Sequence, residues 1–385
     1  MRILEVITDT NVGGAGILLE TRCKYMDRSK YQITVAMPKG SLLYDRFRKI
    51  GVQVLEVDGC YDCSLDIHSI PMWIAILKKI RPLIVNCHGC LSCRIAARLC
   101  GAPVLVDTRH CAFPPKRWMT IFPGKPLIGW FLNHLSDYTI AVAEAAKENL
   151  VSIGVTPKKI TVIINGSRSI SPISEEKKRQ LRDHLGISKD CLVISMFARL
   201  EACKDHDTLL NAASLLLKNN PKFVFLIVGD GSRMHYLKNK SIRLGISESV
   251  IFTGFAQDVT PYMNITDIQV NCSIGTETSS LALSEGMSLG IPAIVSNFGG
   301  NPYMVQNGIN GLIFPIKRYD LLAQWIQKIA DDPMLYIHLS NGAKKRYETE
   351  LNAERMTRDT EALYDACYQE KCNQRRKHKD SIERL

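Results

Sequence analysis

The stretch Leu192-Val-Ile-Ser-Met-Phe-Ala198 is a short apolar run, and the polar stretch Arg199-Leu-Glu-Ala-Cys-Lys204 follows it directly. Apolar residues then recur with helical spacing over residues 207–219. A strand, a loop and a helix in this order are the repeating unit of parallel α/β sheets, because the helix carries the chain back to the start of the next strand. This segment therefore predicts an α/β fold.

The same alternation extends from this segment toward both ends of the chain. Further strands are predicted at residues 3–8, 32–37, 52–57, 83–86, 104–108, 138–142, 223–229, 250–253, 268–271, 293–296 and 311–314. The alternation pauses at the turn-forming stretches Asn165-Gly166-Ser167 and Ser171-Pro172-Ile173-Ser174. We therefore expect two Rossmann-like domains, at residues 1–168 and 169–359, with a C-terminal helix of about 360–385 packing back on the first.

Two such domains are expected to face each other with their parallel sheets across a cleft. Ligands of open α/β sheets bind outside the carboxyl ends of the strands. The strand-to-helix loops of both domains are therefore the predicted location of the functional residues. The basic tail that begins at Lys371 is expected to be frayed.

The net charge of +11, from 49 basic and 38 acidic residues, favours polyanionic partners such as phosphorylated substrates or an anionic membrane surface. The sequence contains no nucleic-acid-binding signature, so nucleic acid is not an expected partner. The first residues lack the layout of a signal peptide, and no apolar run reaches about 18 residues. We expect a cytoplasmic protein that contacts the inner face of the membrane peripherally.

The chain has 13 cysteines, which without a secretion signal are expected to be reduced thiols. Cys87, Cys90 and Cys93 cluster, and such a cluster can hold a metal ion. Their spacing matches no standard ligand set, and they fall on a predicted buried strand and helix, where Cys packs as a small apolar residue. No bound metal is therefore predicted.

The loop after the first strand contains Gly13 and Gly14. Adjacent glycines let a ligand approach the backbone, and the following helix offers free N–H groups that suit a phosphate. The spacing is not that of the dinucleotide fingerprint, which argues against a nicotinamide or flavin cofactor. The alternative is a simple tight turn.

Arg199 and Lys204 follow the first strand of the second half, where two cations can hold a diphosphate and stabilise its charge as it leaves. The alternative is a pair of solvated surface charges. The nearby Asp205-His206-Asp207 resembles a metal-binding D-x-D pattern. Because a helix begins there, Asp205 is predicted to cap it instead.

Two carboxylates, Glu277 and Glu285, flank the start of a helix predicted at about residues 279–289. Eight helical residues rise about 12 Å, roughly the reach from the sugar of a nucleotide sugar to its ribose. Backbone N–H groups at Ser279-Ser280-Leu281 would face the diphosphate between them. The alternative is a chance spacing of two surface glutamates.

These segments together resemble the retaining glycosyltransferases of family 4, which have the GT-B fold. Residues 275–297 are similar to the family's E-x7-E signature. Arg199 and Lys204 resemble its arginine–lysine motif, and Gly13-Gly14 its first loop. The stretches 142–147, 163–166 and 307–315 match further family segments, so the resemblance covers nearly the whole chain in order.

The resemblance implies roles for individual residues. Glu285 would bind the ribose, Glu277 the hydroxyls of the donor sugar, and Arg199 with Lys204 the diphosphate. His110 would lie near the reacting sugar, although taken alone it is more commonly a buried structural histidine. The chain departs from the family at Thr278-Ser279-Ser280, where Gly-Phe-Gly is common, at Ser284 and Gly286 beside Glu285, and at Cys111, where Asp is usual.

The resemblance also implies metal-independent transfer with retention, in which the acceptor attacks on the face that the phosphate leaves. A UDP-sugar is the favoured donor, followed by GDP-mannose, and the acceptor is a glycan or a lipid diphosphate in surface polysaccharide or glycolipid synthesis. Residues 113–135 carry aromatic and basic side chains but no acidic ones, which suits a membrane interface. A nucleotide-sugar epimerase and a non-catalytic nucleotide-sugar or glycan-binding protein remain as alternatives.

Overall fold

The computed structural model describes residues 1–58, 62–110, 115–218, 222–275 and 277–382. The chain divides into two units, one formed by Met1–Gly166 and Ala353–Leu385 and the other by Ser167–Asn352. Each unit contains one parallel sheet, so the predicted α/β architecture is confirmed. The second crossing between the units lies at Asn352, and residues 353–359 therefore belong to the first unit instead of the second.

The first unit has a seven-stranded sheet in the order β3-β2-β1-β4-β5-β6-β7. Its strands are β1 (Arg2–Ile7), β2 (Gln32–Pro38), β3 (Gln53–Val57), β4 (Ile84–His88), β5 (Val104–Arg109), β6 (Tyr138–Ala141) and β7 (Ile160–Val162). All neighbours pair in parallel. The strand β7 was not predicted, because its three residues are too few to show a pattern.

The helices of this part of the chain are α1 (Gly14–Tyr25), α2 (Tyr44–Lys49), α3 (Ile70–Ile80), α4 (Leu91–Leu99), α5 (Arg117–Thr120), α6 (Gly124–Leu135) and α7 (Glu144–Ser152). Cys87, Cys90 and Cys93 lie buried in the core between the sheet and α3 and α4. Burial raises the pKa of Cys87 well above its usual value, so this thiol stays protonated. The described residues contain no group of three or more metal-ligating side chains.

The second unit has six strands in the order β10-β9-β8-β11-β12-β13. They are β8 (Leu192–Phe197), β9 (Phe223–Val228), β10 (Val250–Gly254), β11 (Ile268–Asn271), β12 (Ala293–Ser296) and β13 (Gly311–Phe314). The helices are α8 (Glu175–His184), α9 (His206–Leu217), α10 (Met234–Arg243), α11 (Thr260–Asn264), α12 (Leu281–Ser288), α13 (Asn301–Met304), α14 (Tyr319–Asp331) and α15 (Pro333–Arg346). The order β9-β8-β11 reverses direction at β8, so the loops after β8 and β11 lie at the switch point where ligands of such sheets bind.

The long C-terminal helix α16 (Ala353–Ile382) packs against α1 of the first unit. Asp365 forms an ion pair with Lys30 and accepts a hydrogen bond from the Tyr31 hydroxyl at 2.9 Å. The Tyr364 hydroxyl donates to buried Glu5 at 2.8 Å. The stretch from Lys371 continues this helix to Ile382, where the sequence predicted a frayed tail. Across the described residues, no helix has the length and apolar character needed to cross a bilayer.

Candidate active site

Glu277 and Lys204 meet at the carboxyl edge of the second sheet. Lys204 lies between β8 and α9, and Glu277 lies in the loop after β11, which pairs with β8. The Lys204 Nζ donates to Glu277 Oε2 at 2.6 Å, and the carboxylate is only 7% exposed. Two residues that the sequence analysis chose for different reasons therefore form one ion pair.

Two further side chains hold the Glu277 carboxylate in place. Ser273 Oγ donates to Oε2 at 2.8 Å, and Asn271 Nδ2 donates to the same oxygen at 3.2 Å. With Lys204, three donors converge on one carboxylate oxygen and fix the plane of the group. Asn271 and Ser273 were not singled out from the sequence, although Asn271 ends the buried strand β11 and Ser273 lies two residues beyond it.

A pair of glycines supports Glu277 from the loop after β12. The Gly300 N–H donates to the Glu277 carbonyl at 3.1 Å. A Cβ at Gly299, whose φ is +58°, would lie 2.0 Å from the same carbonyl, and one at Gly300 would lie 1.6 Å from the Thr278 carbonyl. Side chains at either position would push Glu277 out of place. The adjacent glycines after a predicted strand were the signal that the sequence analysis overlooked.

Helix α12 begins later than predicted. Ser280 is its N-cap, and its hydroxyl accepts from the Leu283 N–H at 3.4 Å. The Ser280 N–H points at the sulfur of Met304 at 3.2 Å, so it is not one of the groups directed outward. Only the part of the Glu277–Glu285 segment from Leu281 onward is helical, so the rise of eight helical residues does not describe their separation.

Glu285 lies in the first turns of α12 beside Arg168. The Arg168 Nε lies 3.5 Å from Glu285 Oε1, and Arg168 also pairs with Asp258 at 3.4 Å. Burial raises the pKa of Glu285, and the nearby guanidinium opposes this shift. Arg168 was missed from the sequence because it stands in a loop with no pattern around it.

The departures from the family beside Glu285 have a packing explanation. A Cβ at Gly286 would lie 2.0 Å from Gln269 Oε1, while Gln269 Nε2 donates to the Ala282 carbonyl at 2.9 Å. Ser284 is fully buried, and its hydroxyl donates to the Leu351 carbonyl at 2.8 Å. Gly286 and Ser284 therefore pack α12 against its neighbours in this unit, and neither of their contacts involves the Glu285 carboxylate.

Arg199 lies exposed beyond the end of β8. In the part of the chain that the structure describes, it makes no side-chain hydrogen bond or ion pair. The structure therefore brings Lys204 to Glu277 but does not join Arg199 to them.

Both carboxylates of the Asp205-His206-Asp207 stretch bind side chains of the same unit. Asp205 occupies the N-cap position of α9 with φ +49°, but its carboxylate accepts from the Thr208 hydroxyl at 2.6 Å instead of a backbone N–H. Asp207 pairs with Lys240 at 2.7 Å and with Arg233. Asp205 thus occupies the predicted N-cap position, but its side chain does not bond a backbone N–H of the helix.

In the first unit, Gly13 is the N-cap of α1 and Gly14 its first residue. A Cβ at Gly14 would meet nothing within 4 Å, and one at Gly13 would come no closer than 3.7 Å to Asp9. The protein itself therefore does not require glycine here. A phosphate-binding role for this loop stays a prediction.

His110 follows β5 directly and is half-buried. Its Nε2 lies 2.6 Å from Nδ1 of His88, and the two rings stack with centroids 4.9 Å apart. Burial lowers the pKa of His110 well below its usual value, and the charge of Arg22 adds to this effect. Cys111 and Phe113, which the sequence analysis considered, lie outside the described residues.

Comparison with known proteins gives the family. The profile of Glycosyltransferase Family 4 matches residues 12–168, and that of Glycosyl transferases group 1 matches residues 177–346. The UDP-Gal:alpha-D-GlcNAc-diphosphoundecaprenol alpha-1,3-galactosyltransferase of Escherichia coli is 31% identical over 306 residues, 74% of this chain and 76% of that protein. The alpha-monoglucosyldiacylglycerol synthase of Streptococcus pneumoniae is 28% identical over 232 residues, 58% of this chain and 51% of that protein.

Solved structures agree on the fold. HepE of Anabaena in complex with UDP superimposes with a TM-score of 0.83 at 19% identity, over 95% of this chain and 100% of that one. Its complex with UDP-glucose gives a TM-score of 0.81 with the same coverage. Two parallel α/β units with these matches are the GT-B architecture. The chain belongs to the family 4 glycosyltransferases, of the group known as glycosyl transferases group 1, and is a glycosyltransferase.

Proposed function

We propose that this glycosyltransferase moves a sugar from a UDP-sugar to a lipid-linked acceptor, with retention of configuration and without a metal ion. The observation that carries the proposal is the ion pair between Lys204 and Glu277, beside the start of the helix that bears Glu285. The loops after two neighbouring strands, β8 and β11, thus offer a cation for phosphate, a carboxylate for the sugar and a carboxylate for the ribose.

The diphosphate is the group for which the site supplies positive charge. Lys204 and the exposed Arg199 follow β8, and α12 begins in the neighbouring loop region with its partial positive end. Breaking the bond between sugar and phosphate places negative charge on the departing UDP. Lys204, which Glu277 holds in place, and the N–H groups at the start of α12 stabilise that charge with little reorganisation, so no metal is required in the proposed reaction.

Glu285 is proposed to bind the two ribose hydroxyls of the nucleotide. Its side chain is 15% exposed, and Arg168 Nε lies 3.5 Å from its Oε1. A ribose provides two O–H donors in the geometry that a carboxylate accepts. The positive charge of Arg168 favours the ionised form of this carboxylate, which accepts both hydroxyls.

Glu277 is proposed to orient the donor sugar and not to act as a nucleophile. Its Oε2 is tied by Lys204, Ser273 and Asn271, so the group cannot swing toward the anomeric carbon. The other oxygen can accept from sugar hydroxyls. In the proposed step the acceptor oxygen bonds to the anomeric carbon, the bond from that carbon to phosphate oxygen breaks on the same face, and the acceptor proton passes to the leaving phosphate.

The preference for UDP draws on two relatives. The HepE structures contain UDP and UDP-glucose, and the Escherichia coli relative uses UDP-Gal according to its name. GDP-mannose is the second candidate donor. The same relative acts on a diphosphoundecaprenol-linked sugar, and the synthase of Streptococcus pneumoniae makes a glycolipid. We therefore place the reaction in polysaccharide or glycolipid synthesis at the inner face of the membrane.

The surface of α5 and α6 supports a membrane-bound acceptor. Large apolar side chains face outward there, with Phe122 85% exposed and Trp130 62% exposed. The inner face of α6 is apolar as well, since Ile128 and Leu132 pack against the core. A helix on the surface of a soluble protein normally turns polar residues to the outside. The exposed apolar residues of this surface are Trp118, Ile121, Phe122, Leu127, Trp130 and Phe131. The basic residues Lys116, Arg117 and Lys125 are exposed beside them, and this combination matches an anionic bilayer.

The donor proposal is tested by calorimetric titration with UDP and GDP in the absence of divalent metal, followed by transfer from the matching sugar nucleotides to a polyprenyl-diphosphate-linked sugar. Binding of UDP and sugar transfer with retained configuration are expected. Free sugar isomers without an acceptor product would indicate an epimerase. Binding of neither nucleotide would refute the proposed donor site.

The membrane proposal is tested by co-sedimentation with vesicles of phosphatidylcholine alone or mixed with phosphatidylglycerol. The wild type should sediment with the anionic vesicles, and the double variant Phe122→Ser/Trp130→Ser should remain in solution. Leu99→Ser removes an equally exposed apolar side chain elsewhere on the same unit and should bind like the wild type. Equal loss in both variants, or no binding by the wild type, would contradict a role for this surface.

A further inference from the structure

A line of buried polar side chains in the first unit ends at His110, and the proposed reaction gives no role to its inner members. Glu5 on β1, His88 at the end of β4 and His110 after β5 stand on consecutive strands of the sheet. His88 Nε2 lies 2.9 Å from Glu5 Oε2, and His88 Nδ1 lies 2.6 Å from His110 Nε2. The three side chains therefore connect the interior of the sheet to the loop after β5.

Glu5 is an ionised carboxylate at the inner end of this line. Arg22 and Asn86 donate to its Oε2 at 2.6 and 2.9 Å, and the Tyr364 hydroxyl donates to Oε1 at 2.8 Å. Burial raises the pKa of Glu5, but the charge of Arg22 and the hydrogen bonds from His88 and Tyr364 outweigh it. The pKa therefore lies below the usual value.

The charge of Glu5 decides where the protons of both histidines lie. Glu5 Oε2 is the nearest group to His88 Nε2, at 2.9 Å; Arg22 Nη2 and Asn86 Nδ2 lie farther from it, at 3.2 and 3.4 Å. Both of these donors bond Glu5 Oε2 at shorter distances than they approach His88. A carboxylate oxygen can only accept, so the proton of His88 is assigned to Nε2. Burial lowers the pKa of His88, so the ring is neutral and its Nδ1 holds a lone pair. A lone pair at 2.6 Å from His110 Nε2 requires the proton of His110 to be on that nitrogen. His110 Nδ1 is then the unprotonated nitrogen.

We infer that Glu5 and His88 are positioning residues, which fix the proton of His110 on Nε2 and so hold its ring in one tautomer for the transfer reaction. The purpose of this arrangement rests on the proposed transfer reaction, whereas the proton positions rest only on contacts within the first unit. A carboxylate that holds a catalytic histidine in one tautomer acts in the same way in hydrolases. Arg22, Asn86 and Tyr364 hold Glu5, and Glu5 holds His88.

Two substitutions at His88 separate its two contacts. The amide of His88→Asn lies where the ring has Nδ1 and can still accept from His110, but it is too short to reach Glu5. The amide of His88→Gln reaches the position of Nε2 and can still donate to Glu5, but it leaves His110 without its acceptor. The control Asp137→Asn alters a different buried carboxylate of the same unit, which pairs with Arg98 and Lys371.

The first readout is the tautomer of His110 in the full-length protein labelled with nitrogen-15 histidine, observed by long-range proton–nitrogen correlation and assigned with His110→Gln. In the wild type, Nε2 should be protonated and Nδ1 unprotonated. His88→Asn and Asp137→Asn should keep this pattern, and His88→Gln should give a mixture of both tautomers. A wild type protonated on Nδ1, or a His88→Gln spectrum equal to that of the wild type, would overturn the inference. Circular dichroism confirms that each variant is folded.

The second readout is turnover. His88→Gln should lower kcat by roughly 10²-fold, the lower end of what a positioned acid–base group contributes, while the Kd for UDP stays unchanged. His88→Asn should recover most of the loss. If His110 shows both tautomers in His88→Gln but this variant transfers sugar at the wild-type rate, the positioning role is refuted while the proposed function stands. If the wild type transfers no sugar, the proposed function fails, and the tautomer spectra still decide whether Glu5 and His88 orient His110.

Discussion

Lowering the pH from about 7.5 to about 5 should destabilise the second unit through a single side chain, His206. This residue is fully buried, and neither ring nitrogen has a hydrogen-bond partner among the described residues. Burial lowers its pKa to about 4, and the charge of Arg233 adds to the shift. The ring is therefore neutral in the folded unit throughout this pH range.

The magnitude follows from the difference between the folded and unfolded pKa. An unfolded histidine has a pKa of about 6.5, so acid protonates the unfolded chain first and stability falls as the pH falls. Between about pH 7.5 and pH 5, a shift from 6.5 to about 4 lowers the free energy of unfolding by about 2 kcal/mol. The loss begins near pH 6.5 and continues down to the folded pKa.

The variant His206→Leu isolates this contribution. Leucine is similar in size and removes two buried nitrogens that have no partner, so stability near neutral pH should stay equal or rise. The fall between about pH 7.5 and pH 5 should become about 2 kcal/mol smaller than in the wild type. Other titrating groups, such as Asp267 and Glu285, contribute equally to both proteins and cancel in the difference.

The assay is a urea titration in which unfolding is measured by hydrogen exchange of peptides from β8 and α9. These peptides report the unfolding of this unit alone. His235→Leu removes an exposed histidine of the same unit and should retain the wild-type pH dependence. If His206→Leu shows the same pH dependence as the wild type, the reasoning is refuted, because His206 would then be protonated or solvated in the folded unit.

Three further results are expected for the site. Lys204→Ala should lower turnover at saturating donor by roughly 10²-fold with little change in the Kd for the intact UDP-sugar, because the cation acts on charge that develops as UDP leaves; unchanged turnover in a steady-state transfer assay would remove Lys204 from that role. Glu285→Gln should weaken UDP binding roughly tenfold in calorimetry, the value of about one charge-assisted hydrogen bond, and equal affinity would argue against ribose binding. Transfer should continue in excess chelator, whereas its abolition would show that a metal takes part.

The architecture could be predicted because it depends on patterns that are local in the sequence. Short apolar runs such as Leu192–Phe197 alternate with helical periodicity, and this suffices for two parallel sheets. The strand Ile160–Val162 was not predicted, because three residues are too few to show a period. Lys204 was predicted from its place after a strand and Glu277 from its spacing to Glu285, and the structure showed that they are bonded to each other.

The supporting residues could not be predicted because they act through contacts distant in sequence. Arg168 reaches Glu285 across more than a hundred residues, and Gly300 supports Glu277 from the loop after a different strand. Glu5 is a charged residue inside the apolar strand β1, and its partners lie at residues 22, 86 and 364. No periodicity marks such residues, since each is defined by its partners and not by its neighbours.

The return of α16 to the first unit has a consequence for the order in which the protein is made. Translation delivers residues 167–352, the whole of the second unit, before it delivers Ala353–Ile382. Until that last segment leaves the ribosome, Glu5 lacks the hydroxyl of Tyr364, and Tyr31 lacks Asp365. Domains usually complete folding in the order of synthesis, but here the later unit can finish first. The half of the protein that emerges first must therefore wait for its final helix, and a chain that stops at residue 352 leaves only the second unit complete.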